Sequence, residues 1–465
     1  MIPRLLHFRT RHQPLMVRLS YRYEMRSAMT FPLAASLAEG SFTGVVAAKY
    51  FQASPLLIAL ITAAPMFGNI MAIVWSELAK DRRKVPFVNL LQLGVVLTVA
   101  AAALTAWLPR QWGGWVFALL IILARLLASG IITIRSVIWR ANYPRQLRGQ
   151  IIGRITVVAT AVLALSTFLG SWWLDRDPRA FVLLYPSAAI LGAIGIYQFS
   201  HVRVRKEGQS LRKAQIYAAR PEELSHTDET NVLNYETDPG PRGLRRFFAD
   251  AWRVLRDDEQ FRLYQRYQFF SGFSFMMFSP ALLYMVSKEM TDERREYLLA
   301  TVVLQIVPLV VSLVAIQLWA PLFDRVHVTT FRVAQTAVSV AAQLILYAGA
   351  FFDQLGVVAA AQVLVGISNA GGNLAWNLGH NDFATGDKAA SYMGVHVMLT
   401  GLRGFIAPFL GAWLYQLPLI ARHVFAVSTV VCLLALVGFI SMSRHAPKRP
   451  PQTKRASAKT LASSK

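Results

Sequence analysis

Residues 54–108 read SPLLIALITAAPMFGNIMAIVWSELAKDRRKVPFVNLLQLGVVLTVAAAALTAWL. Two apolar runs, 54–78 and 86–108, flank one short charged turn, Lys80-Asp81-Arg82-Arg83-Lys84. Each run supplies the roughly 20 mostly apolar residues that a helix needs to cross the hydrocarbon core of a bilayer. Neither alternates in the manner of a membrane β-strand. Two membrane-crossing helices joined by a basic turn are the first reading of this stretch.

The pattern continues in both directions. Ten further runs lie at about 29–49, 114–136, 151–174, 180–200, 264–287, 298–322, 330–352, 355–379, 391–416 and 420–442. With the first two they make twelve spans, six on each side of a polar segment at 201–262. The chain of 465 residues is 55% hydrophobic and 16% charged, whereas a soluble domain is about 25% charged. An all-α integral membrane protein with twelve transmembrane helices in two six-helix bundles is the expected fold. The single cysteine, Cys432, excludes an intramolecular disulfide and a cysteine metal cluster. Nine histidines form no HExxH pairing, and no phosphate-binding GxxxxGK[ST] loop occurs. Neither a metal nor a cofactor is expected.

A net charge of +23 would suit a nucleic-acid binder, but the distribution of the charges excludes that use. With both termini placed inside, 36 of the 48 Lys and Arg fall on one face of the membrane and 8 on the other. Cytoplasmic loops carry such an excess. The charge is therefore an orientation signal and requires an even number of spans. Residues 1–28 form a basic cytoplasmic segment, read as an interfacial helix or a solvated tail. They precede a bundle at 29–200, a central cytoplasmic loop at 201–262, a second bundle at 263–443 and a basic tail at 444–465. The loop after span 8 is assigned Arg325 and Arg332, and Lys49 is assigned to the opposite face. No N-x-S/T sequon and short outer loops suit a multi-pass protein of a bacterial inner membrane. Anionic lipid at the cytoplasmic face is the expected surface partner, and a monomer is the expected state.

The two halves carry a repeat. Span 5 opens with Gly153 and ends in Phe168-Leu169-Gly170-Ser171-Trp172. Span 11 opens with Gly394 and ends in Phe409-Leu410-Gly411-Ala412-Trp413. One offset relates both pairs of landmarks, as a duplication would leave. Asp81-Arg82 follows span 2, and Asp324-Arg325 follows span 8. Six plus six spans, a long central loop and paired Asp-Arg signatures resemble the major facilitator superfamily of secondary transporters. The resemblance covers residues 29 to 443. The family's pattern after span 2 runs G-x-L-x-D-R-x-G-R-K; here Glu77 replaces its first glycine, and its second is missing. Ala320 replaces the glycine of the second copy. By resemblance, Asp81, Arg82, Asp324 and Arg325 latch the cytoplasmic side of the two halves; simple topology-setting charge is the alternative. The helix-5 Gly-Pro signature of the family's antiporters is absent.

The resemblance also implies that spans 1, 4, 7 and 10 line a central cavity. Polar groups inside a membrane are expensive and mark such cavities. Span 1 has Ser36, Glu39, Gly40 and Thr43 on one face. Span 4 has Arg125, Ser129, Thr133 and Ser136. Span 7 has Gln265, Gln268, Ser271 and either Ser274 or Gly272. Span 10 has Asn369, Asn373, Asn377 and His380, with Trp376 alongside. Spans 3, 6, 9 and 12 read as blander. Glu39 is a candidate to carry a coupling proton or bind a cationic group, with Arg125 tuning it or binding an anionic group. A structural ion pair is the competing reading.

The asparagine stripe and Trp376 form the substrate-site candidate, although asparagines also bond across helices. His380 and its neighbours are either a polar cap or a metal ligand set. Arg403 in span 11 either binds an anionic substrate or snorkels to the interface. The expected function is secondary active transport of a small solute by alternating access, coupled to protons. The other reading is a transporter-fold sensor or scaffold that uses the central loop. No convergent nucleophile, histidine and acid set supports an enzyme.

Overall fold

The computed structural model describes residues 15–79, 82–205, 207–209, 211–212, 244–384 and 389–445. Among these residues every regular element is helical. The spans are built from α1 (Leu15–Ala35), α2 (Gly40–Tyr50), α3 (Pro55–Ala79), α4 (Lys84–Ala102), α5 (Arg110–Asn142), α6 (Arg145–Arg176) and α7 (Phe181–Ser200). After α8 (Leu244–Asp257) come α9 (Glu259–Lys288), α10 (Tyr297–Thr301), α11 (Val307–Arg325), α12 (Val328–Phe351), α13 (Leu355–Leu378), α14 (Ala389–Gln416) and α15 (Val424–Ser443). A π-turn, Val302–Ile306, joins α10 to α11 in one span. Among the described residues eleven helices are long and apolar enough to cross a bilayer, and α1 with α2, bent by 42°, makes a twelfth when the pair is taken as one span. Leu318, Ile190 and Val437 are among many large apolar side chains left exposed. Water would penalise such faces, and lipid does not.

Several boundaries differ from the sequence reading for a physical reason. α1 starts by Leu15, so residues 15–28 are helix and not a solvated tail; residues 1–14 lie outside the described residues. The basic residues Arg140, Arg145, Arg148 and Arg154, which the apolar runs 114–136 and 151–174 place in or beside the loop between them, lie within the ends of α5 and α6. Hydropathy stops a span at the first charge, but a helix continues wherever its polar side chains find partners. The central segment ends earlier than 262, since α9 opens at Glu259. Its residues 213–243, and the tail from 446, lie outside the described residues.

The chain divides into two compact units that do not follow a clean cut at the central segment. The first comprises Met1–Ala249, Ser279–Gln305 and Gly404–Trp413. The second comprises Asp250–Phe278, Ile306–Arg403 and Leu414–Lys465.

In the first unit α1 packs on α6 and α7, and α5 packs on α3 and α4. Phe51, Phe117, Phe181 and Tyr185 form an aromatic knot at one end. Elsewhere the fully buried Glu24 of α1 accepts from Arg135 Nη2 (3.2 Å), Trp139 Nε1 (2.5 Å) and the Tyr143 hydroxyl (2.7 Å). Three donors on one carboxylate offset the cost of its burial. They also explain why α5 runs on past residue 136. Burial, reinforced by Glu24, holds the Tyr143 hydroxyl far above its usual pKa.

In the second unit α13 packs on α11 and α12, and α12 packs on α15. Phe261, Tyr264, Trp319, Phe323, Phe331 and Phe439 fill its core. Gln343 of α12 accepts from Ser274 (2.8 Å) and Ser428 (3.1 Å), tying three helices together.

The duplicated motif keeps its orientation in both copies. Gly170 and Gly411 are buried, and Trp172 and Trp413 are exposed.

Candidate functional site

In the first unit, the site forms where the first span breaks. A 3-10 turn, Ser36–Ala38, ends at Glu39, whose backbone is extended. Gly40 follows at φ +68°, a left-handed conformation that favours glycine. The break frees the first N–H groups of α2. Gln305, in the π-turn, accepts from the Phe42 N–H at 2.7 Å, and Ser41 Oγ donates to the Leu304 carbonyl at 3.2 Å. π-turns of this kind often mark functional positions.

The Glu39 side chain leaves this break toward α5 and meets Arg125 Nη1 at 3.1 Å. The Glu39 side chain is 40% exposed and that of Arg125 16%. The carboxylate is thus paired yet open, the arrangement expected of a group that exchanges a proton or meets a solute. Ser129 lies one turn beyond Arg125, but its hydroxyl donates to the Leu126 carbonyl of its own helix at 2.7 Å. Thr133 and Ser136 also bond back along α5.

Another part of the first unit holds a buried lysine. Lys49, counted above among the charges of the opposite face, is 2% exposed and donates to Thr291 Oγ1 (2.8 Å) and the Asp292 carbonyl (2.5 Å). Beside it, Asp175 accepts from the Tyr297 and Leu298 N–H groups at 2.5 and 3.1 Å, capping α10.

In the second unit, α9, α12, α13 and α14 bring buried polar groups together. Arg403 is buried and donates from Nη1 to the Gln268 carbonyl at 2.8 Å. Its guanidinium lies against Gly272, and a Cβ there would collide with it. Gln268 Oε1 has no hydrogen-bond partner. His396 Nδ1 meets Gln265 Oε1 at 3.1 Å, and its ring packs on Trp376 with 5.5 Å between centroids. Trp376 Nε1 donates to Thr400 at 3.3 Å. The asparagine stripe is more divided. Asn369 is half-buried, Asn373 is exposed, and exposed Asn377 donates to the Asn373 carbonyl at 2.8 Å.

His380 is buried, with Nδ1 unpartnered. Nearby Asp382 accepts from the Val328 N–H at 2.8 Å and so caps α12. Among the described residues no three metal-ligating side chains converge.

Of the charged signatures, three residues are described. Asp81 lies outside the described residues. Arg82 is exposed, with its guanidinium 5.4 Å from the Phe87 ring centre. Asp324 and Arg325 are exposed at the end of α11.

Two features escaped the sequence reading. Span 9 is not bland, because Arg332, Gln335, Thr336, Ser339 and Gln343 recur at three- and four-residue steps. Most of this face is buried. Arg332, assigned above to a loop, is 3% exposed inside α12. The periodicity could have revealed it; its nearness to the span's start hid it. Glu24 was hidden by the basic residues around it.

A family model described as Major Facilitator Superfamily matches residues 28–402 and also 267–464. A D-xylose-proton symporter structure is 12% identical with a TM-score of 0.64, covering 92% of this chain and 97% of that one. A variant of the nucleoside transporter NupG is 12% identical with a TM-score of 0.63, covering 91% and 99%. A POT family transporter in complex with 5-aminolevulinic acid is 14% identical with a TM-score of 0.63, covering 92% and 96%. At such identities the likeness establishes the fold. No curated protein matches the sequence. The family match over most of the chain, together with twelve apolar spans, means that the chain belongs to the Major Facilitator Superfamily of membrane transporters.

Proposed function

We propose that the protein is a proton-coupled secondary transporter that moves a small polar organic solute by alternating access. The observation that carries this reading is the Glu39–Arg125 pair at the break of the first span. A broken span offers free backbone groups and a hinge at a midplane site. Arg125 pairs with the carboxylate, and a proton or a solute group competes for it. Glu39 is the proton carrier and Arg125 its counter-charge. Gln268, Trp376, Arg403 and the Asn369, Asn373 and Asn377 face hold the solute, with His380 at the end of that helix. A D-xylose-proton symporter of the same fold supports the coupling.

Asp81, Arg82, Asp324 and Arg325 act as the cytoplasmic latch. The lysine and arginine excess sets both termini inside, against anionic lipid. The protein works as a monomer in a bacterial inner membrane.

Solute uptake into proteoliposomes with and without an imposed inward proton gradient tests the reading. Accumulation that follows the gradient in the wild type and disappears in Glu39→Gln supports it. Binding of solute without any flux rules it out.

A further inference from the structure

Two arginines in the second unit are buried without a counter-charge. Arg332 on α12 is 3% exposed and Arg403 on α14 is 4% exposed. Arginine stays protonated in proteins and carries five N–H donors. Arg332 uses Nη1 once, to Gln335 Oε1 at 2.9 Å, and its Nε and Nη2 have no partner. Arg403 reaches the Gln268 carbonyl, and its Nε has no partner.

Among the described residues neither arginine forms an ion pair. The two positive charges lie close enough to repel one another, and both act on His396. His396 is 2% exposed, and its Nε2 is also unpartnered.

Burying charge is tolerated when the charge is paired. Here two like charges act on each other, and donors on both arginines lack acceptors. A neutral solute would leave the repulsion in place. A cation would worsen it. Water supplies acceptors but no counter-charge. An oxyanion supplies both, and the guanidinium fork matches a carboxylate or phosphate group in two-pronged geometry.

We infer that Arg332 and Arg403, with His396 beside them, form the binding site for the carboxylate or phosphate group of an organic anion, which is the transported solute. The inference rests on the transporter reading for the last clause only. Arg403 belongs to the polar set already assigned to the solute, and Arg332 adds the second charge that fixes the substrate class. Gly272 lies against the Arg403 guanidinium, and a Cβ there would displace the guanidinium from this position.

The test uses the full chain purified in detergent. Thermal shift and calorimetry compare succinate, citrate, inorganic phosphate and glycerol phosphate with the neutral succinamide and the diamine putrescine. Carboxylate and phosphate arms separate the two oxyanion sources. At least one anion is expected to raise the melting temperature and bind, while succinamide and putrescine do not. Arg332→Gln and Arg403→Gln are each expected to weaken that anion at least tenfold. Arg332→Lys and Arg403→Lys keep the charge but lose the fork, so an intermediate loss is expected of them. They serve in place of any glutamine variant that fails to fold.

Absence of binding by all four anions overturns the inference, as does equal binding of succinamide. Wild-type affinity in folded Arg332 and Arg403 variants also overturns it. Counterflow in proteoliposomes separates the two proposals. Anion binding without flux keeps the site and ends the transporter reading. Flux of a neutral or cationic solute that the anions do not inhibit keeps the transporter reading and ends the site.

Discussion

Glu39 and Arg125 meet at 3.1 Å at the one extended residue between the two helical parts of the first span. The pair is partly exposed, so its contribution to stability is expected to be at most about 1 kcal/mol. Its contribution to transport is expected to be far larger. Glu39→Gln should abolish accumulation driven by a proton gradient while leaving solute exchange measurable. Arg125→Ala should reduce both, because it leaves the carboxylate without its counter-charge. Uptake and counterflow in proteoliposomes, read beside the melting temperature, check this. A large stability loss with unchanged coupling would make the pair structural.

Glu24 is the opposite case. It is fully buried, and Arg135, Trp139 and Tyr143 already satisfy it. Removing its charge strands Arg135 beside a neutral group. Breaking a buried pair in this way costs about 3 kcal/mol or more. Glu24→Gln is therefore expected to lower the melting temperature by several degrees and to leave coupling intact in the protein that remains folded. Thermal unfolding followed by intrinsic fluorescence would reveal it. A Glu24→Gln protein of wild-type stability would contradict the assignment.

The contrast between these carboxylates shows what the sequence could and could not disclose. Glu39 was legible because it interrupts an apolar run, where one charge stands out. Glu24 was not, because it sits among Arg18, Arg22 and Arg26 and resembles a solvated segment. Arg332 was lost in the same way, four residues into its helix and close to Arg325 at the end of the preceding span. The twelve spans were legible because lipid demands a contiguous apolar length, which is a local property. The Gln305 side chain that caps α2 was not, since 263 residues separate it from Phe42. The asparagine stripe of α13 was legible as a pattern. Nothing local, however, says that Asn377 turns back onto its own helix.

Gly40 and Gln305 should be energetically coupled. Gly40→Ala places a Cβ against the Gln305 side chain, with its amide oxygen at 2.6 Å. It also forces alanine into the left-handed region, at about 1 kcal/mol. Gln305→Ala removes the acceptor of the Phe42 N–H, at about 1–3 kcal/mol for a buried donor left unpaired. Because the smaller side chain relieves the collision, Gly40→Ala should cost less in a Gln305→Ala background than in the wild type. A double-mutant cycle on thermal or denaturant unfolding measures this. Strict additivity would mean that the two positions do not meet.

The 289–296 turn provides a control for the pH dependence of transport. The Asp292 carboxylate accepts from the Arg294 and Arg295 N–H groups at 2.9 and 2.7 Å. These bonds hold its pKa below the ordinary 3.8. Lys288 acts in the same direction on Glu293, by hydrogen bond and charge. A depressed carboxylate pKa gives stability that is complete above the unfolded value and is lost as pH falls through the folded value. Both groups therefore stay ionised from pH 5 to 8, and the turn should loosen only below about pH 4. Asp292→Asn should leave the transport profile between pH 5 and 8 unmoved. Hydrogen exchange across residues 286–298 should show the wild-type turn opening in acid, and the Asp292→Asn turn already loosened at neutral pH. A shift of the neutral-range profile by Asp292→Asn would mean that this turn takes part in coupling.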